Sequence, residues 1–139
     1  MGSRIFVGAF LLVGMLDTGT VATSGYRVAP ARQWAIVYLA EPTLIVSTIV
    51  QGPVLVTHDA AKMARGEACT SVQLFEPAKG PVEEIASFHC TPTPRDVVRK
   101  FTIRTRPNME LGYGCVLTEY QFAGESEAHG VPAPAALTH

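Results

Sequence analysis

The side chains with the clearest chemistry in this sequence are a small set of soft donors. His58 and Met63 lie five residues apart, His89 directly precedes Cys90, and His129 lies near the C-terminus. Imidazole, thioether and thiol groups together suit copper, and His and Met are also axial ligands of haem. The pattern therefore predicts a copper or haem site built on His58, Met63 and His89, with His129 as a further candidate ligand.

Two observations weaken this hypothesis. Adjacent residues of a strand face opposite sides, so His89 and Cys90 could not easily bind the same ion. No cysteine is followed by the Cys-x4-His-x4-Met spacing of a copper-binding closing loop. Histidines with a purely structural role, and no cofactor at all, are the alternative.

Two of the three cysteines are expected to form a disulfide. Residues 69–75 and 82–90 read as a hairpin around the turn 76–81. If Phe75 lies opposite Glu84, Cys69 falls opposite Cys90, close enough to be bridged. Two reduced thiols are the alternative, and a slip of one residue in register would separate the pair. Cys115 is left over and is expected to be a partly shielded free thiol.

Charged residues offer a weaker candidate site. Glu125, Glu127 and His129 could bind a hard divalent ion if the last strand continued past Gly124, but glycine is a natural break. A basic row on residues 97–106 could meet an acidic ligand or the acidic segment 119–127. A solvated surface is the simpler interpretation of both segments.

Common catalytic motifs do not occur. The sequence contains no CxxC, CxxCH, GxSxG, HExxH, GxxxxGKS or GxGxxG pattern. These would have indicated redox, haem-attachment, hydrolase, zinc-peptidase or nucleotide-binding chemistry. We therefore lean against an enzyme.

The N-terminus has the three parts of a secretory signal peptide. Arg4 precedes an apolar run over residues 5–16, and small residues follow over 18–24. The pattern predicts a signal peptide over 1–22 and export to the periplasm or the extracellular space. The run is too short for a permanent transmembrane anchor. A buried core helix is the alternative.

The remaining chain predicts an all-β fold with one short helix. Seven strand-like runs are separated by Gly and Pro, and they favour an antiparallel β-sandwich or small barrel. They are 33–40, 43–50, 54–57, 69–75, 82–90, 97–106 and 115–123. Asp59 and Gly66 have the residue types of helix caps around an Ala-rich segment. We expect one domain over 23–131 and a flexible tail over 132–139.

Composition narrows the class of partner. The 139 residues include 11 Lys and Arg against 12 Asp and Glu, for a net charge of -1. Nucleic acid is an unsuitable partner because phosphate binding needs a concentrated basic face. The first functional hypothesis is therefore an exported, non-catalytic binding or structural module of the cell envelope, whose partner is a protein or small molecule. The metal or haem protein is the alternative.

Three strings of the sequence resemble known proteins. HDAAKMARGEAC, SFHCTP and TEYQFAGESEAHGVP are similar to segments of small exported bacterial proteins of uncharacterised function. The resemblance spans residues 33–132 and singles out 58–69, 88–92 and 118–132. It implies no activity.

Overall fold

The computed structural model describes residues 32–134, which contain eight strands and one short helix. The expected all-β fold is confirmed. The predicted signal peptide, and residues 135–139 of the predicted tail, lie outside the described residues. No helix within 32–134 is long and apolar enough to cross a membrane. The elements are β1 (Arg32–Ile45), β2 (Thr48–Asp59), α1 (Ala60–Ala64), β3 (Thr70–Glu76), β4 (Gly80–Phe88), β5 (Thr91–Pro94), β6 (Thr102–Pro107), β7 (Cys115–Gln121) and β8 (Glu127–Gly130).

The strands form one sheet that curls into a half-barrel. Their order is β4-β3-β2-β1-β7-β8-β5, and β6 pairs with β7 beside this path. All pairs are antiparallel except β1 with β7, which meet in parallel through Thr43 with Cys115 and Leu44 with Val116. The curl brings β8 close to the end of β2, where the ring centroids of His58 and His129 are 4.2 Å apart.

The strand boundaries predicted near prolines are wrong in two places. Glu41-Pro42 does not end a strand but lies in a bulge of β1, between the pairs Leu39 with Gly52 and Thr43 with Val50. A bulge accepts proline because its residues leave the hydrogen-bond ladder. The predicted break at Gly52-Pro53 lies within β2. The chain instead reverses through Val46 and Ser47, so β1 and β2 form one long hairpin.

The predicted hairpin of β3 and β4 exists, but its register is different. Phe75 pairs with Pro81 rather than Glu84, and irregularities between Val72 and Gln73 and between Leu74 and Phe75 shift the pairing along the hairpin. At the other end Thr70 pairs with Phe88. Cys69 and Cys90 therefore lie just outside the paired strands.

The interior of the half-barrel is lined mainly by apolar side chains, and it becomes polar at the end where β2 and β3 carry His58 and Thr70. On β2, alternate side chains face inward, and the row Val54, Val56 and His58 is buried. On β3 the buried residues are Thr70 and Val72. Because the side-chain period of a strand is two, a polar residue in such a row is carried into the core with its apolar neighbours. His58 and Thr70 are paired across β2 and β3 and begin the polar end of the core.

Candidate metal site

Five soft donors from separate parts of the chain meet at the polar end of the core. His58 lies near the end of β2, Met63 lies on α1, and Cys69 directly precedes β3. Cys90 lies between β4 and β5, and His129 lies on β8. We call these five residues the sulfur–imidazole cluster. Four of them lie on a strand or directly beside one, and the fifth lies on the short helix that follows β2.

Three donor groups of the cluster, from His58, Cys69 and Cys90, lie within ligand-sharing distance of one another, and the other two lie beside Cys90. The ligand atoms of His58, Cys69 and Cys90 all lie within 4.8 Å of one another. The Cys69 and Cys90 sulfurs are 2.9 Å apart, and Cys90 Sγ is 3.7 Å from Met63 Sδ and 3.5 Å from His129 Nδ1. Metal–sulfur bonds of about 2.3 Å at tetrahedral angles place two sulfurs about 3.8 Å apart. The Cys90–Met63 spacing matches this value, and the two thiols would separate by a further ~0.9 Å.

The predicted Cys69–Cys90 disulfide is wrong. The two residues do come together, but their sulfurs are 2.9 Å apart, against about 2.05 Å for a bond, and both are free thiols. The backbone N–H of Cys90 donates to Cys69 Sγ over 3.1 Å. Cys115 is also a free thiol, buried beside the Thr43 hydroxyl at 3.3 Å. Two adjacent thiols therefore remain available as ligands.

Three of the four histidine nitrogens of the cluster lack hydrogen-bond partners. Both ring nitrogens of His58 and Nε2 of His129 are buried without a partner. The two residues are only 3% and 2% exposed, and their ring centroids are 4.2 Å apart. A neutral imidazole carries one N–H and one lone pair, and burying both unbonded costs free energy. Buried polar atoms without partners need an explanation, and a bound ion would account for one nitrogen of each ring.

Burial sets the protonation of these groups. It lowers the pKa of His129 to about 4, with a further contribution from neighbouring His58. It also lowers the pKa of His58, against a smaller opposing effect of Asp59. Burial, followed by the neighbouring Cys69, raises the pKa of the Cys90 thiol to about 12. Near neutral pH the imidazoles are uncharged with free lone pairs, and the Cys90 thiol keeps its proton until a metal displaces it.

The residues around the cluster are held in place by hydrogen bonds and ring stacking. Tyr120 on β7 is fully buried, and its hydroxyl is hydrogen-bonded to the Thr70 hydroxyl. Burial raises the pKa of Tyr120 above its ordinary value. The Tyr120 ring stacks on His129 with centroids 5.0 Å apart. Asp59 caps α1 by accepting from the N–H groups of Ala61 and Lys62. The carboxylate that follows His58 in the sequence is therefore engaged in capping α1.

Two of the sequence hypotheses about ligands do not agree with the structure. His89 is exposed, and its Nδ1 lies 2.9 Å from the Glu67 carbonyl and 4.0 Å from Cys69 Sγ, so it lies at the rim rather than within the cluster. Glu127 is exposed, whereas His129 is buried in the core, so the proposed acidic ion site does not form. The predicted break near Gly124 is confirmed, because β7 ends at Gln121 and β8 begins at Glu127.

Three of the four residues predicted as metal-binding candidates lie close together in the structure, beside two cysteines that were assigned to a disulfide. His58, Met63 and His129 converge, and Cys69 and Cys90 join them as free thiols. The cysteines were overlooked as ligands because a disulfide was expected to consume them. The period of two that aligns His58 with two buried valines could have indicated its inward position.

The cluster has access to the surface on one side. His58 and Cys69 line a groove together with Trp34, Thr57 and Lys62. Met63 is partly buried, whereas the other four cluster residues are buried. A small ion could therefore reach the donors without unfolding of the sheet.

Comparison with protein-family models, curated proteins and solved structures returns no match to this chain.

Proposed function

We propose that this protein binds one thiophilic metal ion in the sulfur–imidazole cluster and serves as an exported metal-binding module. The observation that carries the proposal is the set of three unpartnered buried imidazole nitrogens beside two free thiols. A metal ion would take one nitrogen of His58 and one of His129 as ligands and use the thiols as thiolates. Export rests on the signal-peptide pattern of residues 1–22.

The donor set favours a soft or borderline ion over a hard one. Within residues 32–134, His58, Cys69 and Cys90 are the one grouping of at least three His, Cys, Asp or Glu residues at metal-binding spacing. It contains no carboxylate, and Mg²⁺, Ca²⁺ and Mn²⁺ prefer oxygen ligands. Zn²⁺ and Cu⁺ both accept thiolate and imidazole. The binding role needs no catalytic group, so it agrees with the absence of enzyme motifs from the sequence.

The test is a metal titration of the reduced, metal-free full chain. We expect one equivalent of Co²⁺, Zn²⁺ or Cu⁺ to bind, and Co²⁺ to give an intense sulfur-to-metal charge-transfer absorption. Cys69→Ser and Cys90→Ser should each weaken that absorption and lower affinity at least ~100-fold, because each removes one of the two thiolates.

Cys115→Ser is the matched control. Cys115 is also a buried free thiol, but it is hydrogen-bonded to Thr43 on another part of the sheet. It should bind metal like the unsubstituted protein. Binding that survives both cluster substitutions, or no stoichiometric binding of any of the three metals, would refute the proposed function.

A further inference from the structure

Met63 supplies the third sulfur of the cluster, and its thioether prefers different metal ions from the thiols and imidazoles around it. Met63 Sδ is 3.7 Å from Cys90 Sγ, which is the spacing of two sulfurs bound to one ion. A thioether is a neutral, soft donor that binds Cu(I) well. Zn²⁺ sites in proteins are built from Cys, His and carboxylate ligands, without methionine.

The two thiols have different neighbours. Cys69 Sγ accepts the backbone N–H of Cys90 over 3.1 Å, whereas Cys90 Sγ faces Met63 Sδ. The thioether therefore lies beside one of the two cysteine sulfurs, where it can share their ion.

The position of Met63 also separates it from the other donors. His58, Cys69, Cys90 and His129 are at most 3% exposed, but Met63 is partly buried on a five-residue helix that has no fully buried residue. α1 is fixed by its Asp59 cap, and Asp59 N–H donates to the Cys69 carbonyl over 2.9 Å. The helix thus holds the thioether over the outer side of the cluster.

We propose that the sulfur–imidazole cluster is a Cu(I) site and that Met63 is the residue that selects Cu(I) over Zn²⁺. This inference rests on the proposed function, because it names the ion for the same site. Cys69 and Cys90 supply the primary sulfurs, the two histidines supply neutral nitrogen donors, and Met63 completes a sulfur-rich side facing solvent.

The test compares Met63→Leu with Met109→Leu in the reduced full chain under anaerobic conditions. Leucine keeps nearly the same volume but has no donor atom. Met109 is 80% exposed and makes a matched control for the loss of a thioether. Cu(I) affinity is measured by competition with the chromophoric chelator bicinchoninate, and Zn²⁺ affinity by competition with a zinc-binding dye.

We expect Met63→Leu to lower Cu(I) affinity by about 10- to 100-fold, as loss of one soft ligand should. Its Zn²⁺ affinity should change less than ~3-fold, and X-ray absorption should show one sulfur fewer around copper. Met109→Leu should change neither affinity. Unfolding of metal-free Met63→Leu checks that the fold survives.

Equal losses for both metals, an unchanged Cu(I) affinity, or displacement of Cu(I) by Zn²⁺ would overturn the inference. In those cases Cys69- and Cys90-dependent metal binding would still support the proposed function. If no metal binds to the unsubstituted protein, both proposals fail.

Discussion

At the scale of single residues, His58 combines deep burial with two unpartnered ring nitrogens. A core position at the end of the row Val54 and Val56 would be filled better by an aliphatic side chain. A residue that costs stability in the metal-free protein but supplies a ligand to the metal-bound form is typical of a functional position. The same reasoning does not apply to Tyr120, whose hydroxyl is bonded to Thr70.

We therefore predict that His58→Leu stabilises the metal-free protein by about 1 kcal/mol, because it removes buried polar atoms that have no partner. Tyr120→Phe should destabilise the metal-free protein by about 1 kcal/mol, because it removes the hydrogen bond between the Tyr120 and Thr70 hydroxyls in the core. Chemical denaturation in the presence of a chelator measures both. Destabilisation of the His58 variant to the same extent as the Tyr120 variant would mean that His58 is an ordinary structural histidine.

At the scale of elements, the bulge of β1 packs closely against the backbone at the start of β7. Gly114 has a φ of +70°, and a Cβ there would lie 2.3 Å from the Pro42 carbonyl oxygen. The next residue, Cys115, begins the parallel contact with Thr43. The backbone of β7 can approach the bulge only because residue 114 has no side chain.

Gly114→Ala should consequently destabilise the protein by at least about 3 kcal/mol, from the left-handed backbone and the collision with Pro42 together. Gly112→Ala is the matched control, because Gly112 has a φ of +71° but nothing within 4 Å of its Cβ position. It should cost only about 1 kcal/mol. Thermal unfolding of the two variants measures the difference, and equal losses would show that the β1–β7 approach is not tightly packed.

The element pattern also explains how far the sequence could predict this fold. Runs with a period of two, separated by turn residues, were sufficient to predict an all-β chain, and the cap residues were sufficient to predict the short helix that begins after Asp59. They were insufficient where proline lies inside a bulge, as at Pro42, because strand continuation there depends on the partner strand. The cysteines were predicted to meet, but irregular pairing in the β3–β4 hairpin changed how they meet. His129 could not be placed beside them from local patterns, since only the curl of the whole sheet brings β8 to that end.

At the scale of the whole molecule, β7 joins the second half of the chain to the first through its parallel pairing with β1, and a buried carboxylate of β7 connects the elements of the second half. Glu119 on β7 accepts from Arg104 on β6 at 2.7 Å and from Arg95, just after β5, at 2.9 Å. Part of the basic row on residues 97–106 thus meets the acidic segment 119–127, one of the alternatives considered from the sequence. Arg95 foremost, opposed by burial and helped by Arg104, holds the pKa of Glu119 below its ordinary range.

A depressed carboxyl pKa contributes stability that is fully present above the ordinary Glu pKa and is lost as the pH falls through the lowered value. Glu119→Gln should therefore reduce the free energy of unfolding by about 1–2 kcal/mol at neutral pH, a modest figure because both arginines are partly exposed. The difference from the unsubstituted protein should shrink toward zero in acid, where Glu119 is protonated in both the folded and the unfolded chain. Denaturation with urea across a pH series measures this, with the exposed Glu83→Gln as a control that should change stability little at any pH. A difference in stability between the two proteins that stays constant down to low pH would contradict an ionic role for Glu119, and the contact of β7 with Arg95 and Arg104 would then contribute through packing and neutral hydrogen bonds alone.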